Sequence, residues 1–231
     1  MIELIGLDGD DTLWHNESLF SVTQAAFRDL LAPYVSEPHL DDRLLATERR
    51  NIRLFGYGIK GFTLAMIETA IEVSSGRVTG TEIQAIIDAG KAMLEHPVEL
   101  LDGVRPALEQ LRVDGHRLVL VTKGDLFDQE SKLARSGLAE LFDDVQVVSE
   151  KDEATYRRVL AVQHVDPAAF LMVGNSVRSD VLPVLAVGGR AVHVPYPLTW
   201  ALEEAELEPR HRDSCWELRS LSELPQLVER L

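Results

Sequence analysis

Asp8 and Asp10 stand one residue apart in the segment Ile2-Glu3-Leu4-Ile5-Gly6-Leu7-Asp8-Gly9-Asp10-Asp11-Thr12-Leu13-Trp14. Two carboxylates so spaced can divide a reaction between them, one attacking as nucleophile and the other moving protons as general acid and base. The apolar run before them has strand length and fits a buried central strand. The carboxyl ends of such strands are where open α/β sheets hold their ligands. Taken alone, the segment reads equally well as an Asp-rich turn, since Asp and Gly are common turn residues.

Three later segments repeat the pattern of an apolar strand ending in polar residues. Arg117 to Val121 leads into Thr122-Lys123-Gly124-Asp125, and a hydroxyl at that place can donate to a phosphoryl oxygen. Val145 to Val148 leads into Ser149-Glu150-Lys151, ahead of a helical pattern from Glu153 to Val162. Phe170 to Val173 leads into Gly174-Asn175-Ser176-Val177-Arg178-Ser179-Asp180. Singly, these are a turn threonine, a surface lysine and a glycine-rich turn with a helix cap.

Together, in the order Asp-x-Asp-x-Thr, Thr, Lys and Gly-Asn-x-x-x-x-Asp, they resemble the haloacid dehalogenase superfamily of phosphohydrolases over essentially the whole chain. The resemblance implies a doubly wound α/β core with an α-helical cap inserted after the first motif, the Ile2 to Leu7 strand lying between those of Leu118 and Phe170. It implies Asp8 as nucleophile forming an aspartyl-phosphate, and Asp10 as general acid and base. Thr122, Lys123 and Lys151 would hold phosphoryl oxygens. Mg2+ would be bound by Asp8, the Asp10 backbone carbonyl and one or both of Asn175 and Asp180. Asn175 departs from the commoner Asp and removes a charge. The branch that attacks carbon in 2-haloacids lacks the acid/base Asp, so Asp10 favours phosphoryl chemistry, because a departing alkoxide needs a proton and a halide does not.

Around these motifs the periodicity divides the chain. Residues 15–97 read as helical, with helices expected over Glu17 to Leu31, Asp41 to Phe55, Phe62 to Val73 and Thr81 to His96. From Val98 onward strands and helices alternate, which means a parallel sheet with right-handed crossovers. Pro106 and Asp180 are expected to open helices, and the tail from Pro195 to hold two short helices and an edge strand at Cys215 to Leu218. The expected division is an α/β doubly wound parallel sheet from 1–14 and 98–231, with a helical cap from 15–97. Arg49, Arg50, Arg53 and Lys60 flank a glycine-rich break in that cap. Arg53 and Lys60 are the candidates to touch the substrate's leaving group. Asp11 reads as a capping or solvated carboxylate, Trp14 as hinge packing and His15 as a surface residue.

The 231 residues suit one domain with a modest insertion. With 23 Lys plus Arg against 38 Asp plus Glu, the formal charge of −15 disfavours nucleic acid and anionic membrane as partners. No apolar run reaches membrane-spanning length, no secretory signal is recognised, and the single cysteine, Cys215, excludes an internal disulfide. A cytoplasmic, magnesium-dependent phosphatase of a small phosphorylated metabolite is the expectation. The alternatives are sugar phosphomutase, phosphonate cleavage (Lys60 as imine-forming amine) or 2-haloacid dehalogenation, and from another class a silent phosphometabolite-binding regulator. Substrate and oligomeric state are left open.

Overall fold

The structure, a computed structural model, describes residues 1–207 and 214–231. The part of the expected tail at 208–213 lies outside the described residues.

Strands β1 (Leu4–Leu7), β2 (Arg117–Lys123), β3 (Asp144–Val148), β4 (Phe170–Gly174), β5 (Arg190–His193) and β6 (Cys215–Glu217) form one sheet. The order is β3-β2-β1-β4-β5-β6 and every pairing is parallel. All four residues of β1 are buried, as its unbroken apolar sequence requires of a strand covered on both faces. It lies between β2 and β4, with Leu7 opposite Leu120 and Val173, so that Asp8 emerges at the carboxyl edge.

Alternation of side chains sends the two halves of each strand into different cores. Ile5, Leu7, Leu120 and Val173 pack with Leu108 and Leu111 of helix α5 (Val104–Val113) and Leu224 near the end of the chain. Leu4, Val119, Val121 and Met172 pack on the other side with Tyr156, Val159 and Leu160 of α7 (Glu153–Gln163). Pro106 does not open α5; it is the helix's third residue, and Gly103 caps it. A proline fits there because the first-turn N–H groups have no partner within the helix. Asp180 likewise does not open a helix. It falls in a π-helical turn, Val177–Val181, and the α-helix that follows spans only Leu182–Ala186.

The chain divides into two compact units, Met1–Glu17 with Val98–Lys123 and Gln129–Leu231, and Ser18–Pro97 with Gly124–Asp128. The second is built of α1 (Glu17–Leu31), α2 (Glu37–Phe55), α3 (Ile59–Val73) and α4 (Gly80–Glu95). Its core gathers Phe27, Leu40, Leu44, Phe62, Met66 and Ile86. The start of α4 is fixed by a capping box: Thr79 accepts from the Glu82 N–H and the Glu82 carboxylate accepts from the Thr79 N–H. The segment Gly124–Asp128 groups with these helices, and Lys60 pairs with Asp125 there at 2.7 Å.

Among the described residues, no helix is long and apolar enough to cross a membrane.

Candidate active site

Asp8 follows β1 directly, and its N–H is held by the Val173 carbonyl at 2.9 Å. Lys151, two residues past the Ser149 that follows β3, reaches Asp8 Oδ1 at 2.5 Å and Asp180 Oδ1 at 2.7 Å. The Lys151 side chain is only 2% exposed and that of Asp180 1%. Asp180 is brought in by the π-helical turn. Its other oxygen accepts from the Ser176 N–H at 3.0 Å, and Gly174 leaves the space its carboxylate occupies, since a Cβ there would overlap it. Such turns recur at functional sites because they re-aim one side chain without ending the helix.

Two buried carboxylates therefore share one ammonium. Burial pushes the Asp8 carboxyl up to about 7; Lys151 opposes the shift and Asp180 adds to it. Burial by itself would favour the neutral amine at Lys151, but Asp180 and Asp8 outweigh it and hold the ammonium more firmly than in an ordinary lysine. With both carboxylates ionised the cluster carries one net negative charge, which a bound cation would balance.

The oxygen donors available are hard ones. Asp8 and Asp180 are joined by Asn175, whose side-chain oxygen and the Asp8 carboxylate both lie 3.4 Å from the Thr12 hydroxyl. Among the described residues no group of three His, Cys, Asp or Glu side chains gathers as a metal site. A donor set of two carboxylates, an amide and the Asp10 carbonyl fits magnesium, which keeps several waters and needs few protein ligands.

Asp10 lies in a different setting. Its Oδ1 accepts from Trp14 Nε1 at 2.7 Å and from Lys132 Nζ at 2.9 Å, while Oδ2 accepts from Gln129 Nε2 at 2.9 Å. Gln129 and Lys132 are three apart on α6 (Leu126–Ser136) and so share one face. Thr122 donates to the Gln129 side-chain oxygen at 3.1 Å, which turns the amide N–H toward Asp10. Trp14 can lie this close because residue 9 is glycine: a Cβ there would come within 2.8 Å of the indole.

Of the other expected residues, Lys123 is tied to Glu203 at 2.5 Å and to the Ser179 hydroxyl at 2.9 Å. Glu203, which also accepts from the Ser176 and Ser179 hydroxyls, arrives from the tail beyond β5. Lys60 is half exposed, paired with Asp125 and positioned over the Phe127 ring. Arg53 is exposed in the last turn of α2. Asp11 is a buried cap: it accepts from the Asn16 and Glu17 N–H groups at the start of α1, and burial pushes its carboxyl up to about 7. His15 meets the Tyr196 hydroxyl at 2.8 Å.

Sequence reading missed Gln129, Lys132 and Glu203, and took Trp14 for packing alone. The first two carried a signal, a Gln-x-x-Lys pair on a helix just after Thr122; Glu203 carried none.

Residues 2–188 match the family model described as haloacid dehalogenase-like hydrolase. The chain belongs to this family. A haloacid dehalogenase-like family hydrolase from Xanthomonas campestris is similar at 44% identity and a TM-score of 0.88, over 99% of this chain and 91% of that one. A glyceraldehyde 3-phosphate phosphatase from Pyrococcus furiosus is 27% identical over 132 residues, 55% of this chain and 52% of that protein. The chain thus aligns with about half the length of this curated relative. A 2-haloacid dehalogenase from Pseudomonas syringae shares the fold, with 24% identity and a TM-score of 0.65 over 100% of this chain and 99% of that one. The family fold therefore carries more than one chemistry, and the site residues have to discriminate.

Proposed function

We propose that this family member is a magnesium-dependent phosphatase that hydrolyses a small phosphorylated metabolite through an aspartyl-phosphate on Asp8. The observation that carries the reading is the pairing of a buried Asp8, held against Lys151 and Asp180, with a second carboxylate at Asp10. A halide leaves carbon without a proton, so a dehalogenase has no use for Asp10; an alkoxide leaving phosphorus does. The similarity to a glyceraldehyde 3-phosphate phosphatase supports the phosphatase reading.

In this mechanism an Asp8 oxygen attacks phosphorus, forming the acyl-phosphate as the ester P–O bond breaks. Asp10 gives a proton to the leaving oxygen and then takes one from the water that releases phosphate. Thr122 and Lys151 hold phosphoryl oxygens, and Lys151 keeps Asp8 compatible with the ionised state its attack requires. Lys123, bound to Glu203, supports the turn that carries Ser179. Asp8, Asp180, Asn175 and the Asp10 carbonyl would hold magnesium, which supplies charge neutralisation for the transferring phosphoryl group. Arg53 and Lys60 act on substrate choice. A cytoplasmic setting suits a chain with one thiol and no possible internal disulfide.

The test is turnover of sugar phosphates, triose phosphates, nucleotides and flavin mononucleotide, with and without magnesium. Metal-dependent phosphate release on members of the panel is expected. Release of halide from 2-haloacids without phosphate release would replace this reading by dehalogenation, and silence on the whole panel would favour a binding protein.

A further inference from the structure

We infer that Lys132, together with Trp14 and Gln129, is a positioning residue that holds Asp10 for the second half of the reaction, the attack of water on the phosphorylated Asp8. The inference rests on the phosphatase reading and adds residues that no motif of the sequence assigns.

Lys132 is 7% exposed and Gln129 2%, and two such polar side chains are buried together only where both find partners. Their common partner is Asp10, with Asn16 as a second acceptor for Lys132 at 2.8 Å. Trp14 adds a third donor on the same carboxylate. Three donors on one carboxylate fix its plane and position. An Asp10 so oriented serves the step in which a water O–H bond breaks and its proton passes to Asp10, after Asp10 has given its own proton to the leaving oxygen. The water oxygen bonds to phosphorus, the P–O bond to Asp8 breaks, and its electron pair returns to the Asp8 carboxylate. The Thr122 hydroxyl donates to the Gln129 side-chain oxygen and so keeps the amide N–H turned toward Asp10.

The prediction is a split in kinetic constants. With p-nitrophenyl phosphate the leaving group needs little protonation, so kcat/KM, which covers only formation of the acyl-phosphate, tests the first step almost without Asp10. Lys132→Met should lower kcat about tenfold or more while leaving kcat/KM within about threefold. KM should fall in step, and acid quenching should trap more phosphorylated enzyme than in the wild type. Lys132→Arg should restore most of kcat. Trp14→Phe, which removes only the N–H, should show the same split more weakly, and carries the test if Lys132→Met does not fold. Equal losses in kcat and kcat/KM would mean a structural role only, and unchanged kcat no role; either result overturns the inference while leaving the phosphatase reading in place. A wild type inactive on every ester removes both.

Discussion

Lys151 is bound to Asp180 at 2.7 Å by the same ammonium that holds Asp8, so one buried cation serves two buried carboxylates. Deleting that cation leaves both charges uncompensated. Lys151→Met should therefore cost about 3–5 kcal/mol of stability, measured by urea unfolding in chelator. Adding Asp180→Asn to it should recover part of the loss, because the two residues are in contact and their effects do not add. Strict additivity in the double variant would show that the pair does not act as a unit.

The charge left over at this cluster sets the expectation for metal. Asp180→Ala removes one of the two buried carboxylates and should shift magnesium activation to higher concentration, with excess magnesium restoring part of the activity. Asn175→Asp adds a charge where the Thr12 hydroxyl now faces an amide oxygen at 3.4 Å, and should keep magnesium binding or tighten it. Titration calorimetry and activity against magnesium concentration check both. Wild-type turnover undiminished by complete chelation contradicts the metal assignment.

Asp11 gives a pH dependence of stability. Burial raises its carboxyl from 3.8 to about 7 in the folded chain, so across that window the native state holds a proton the unfolded state has released. The stability it contributes is full below the lower value and is lost as pH rises through the upper one. Asp11→Asn keeps an oxygen acceptor for the Asn16 and Glu17 N–H groups, and asparagine tolerates the left-handed φ of 59°. Unfolding of the variant in chelator should lose less stability than wild type over this window. Identical slopes would show that Asp11 does not titrate there.

Lys60 is expected to act on selectivity. It pairs with Asp125, three residues after Thr122 along the chain. Lys60→Ala should change the ratio of kcat/KM values among phosphate esters by about tenfold while leaving a small aryl phosphate nearly unaffected. Equal losses on all esters would count against this role.

Much of the sheet was legible because its strands are continuous apolar runs; β1 and β4 are buried along their whole length, and such runs have little else they can be. The helix Glu17–Leu31 was placed to the residue, since its apolar spacing is regular and Pro33 stops it. Errors fell where local cues conflict. Pro106 signals a helix start, yet tolerates the third position. The π-helical turn around Asp180 has no sequence period of its own. The family resemblance of the joint motifs singles out Asp8, Lys151 and Asp180, which the structure brings together, but it does not single out the donors around Asp10. Trp14 follows β1 while Gln129 and Lys132 lie on α6, more than a hundred residues later, and only folding shows that they meet on one carboxylate.

The central claim is that Asp8 is the covalent nucleophile. Its most direct test is steady-state turnover of a phosphomonoester by Asp8→Asn in saturating magnesium. The substitution nearly preserves shape but removes the attacking carboxylate. The account predicts a loss of about a thousandfold or more in kcat with folding intact, and a beryllofluoride complex with wild type but not with the variant. Near-wild-type turnover by Asp8→Asn would contradict it.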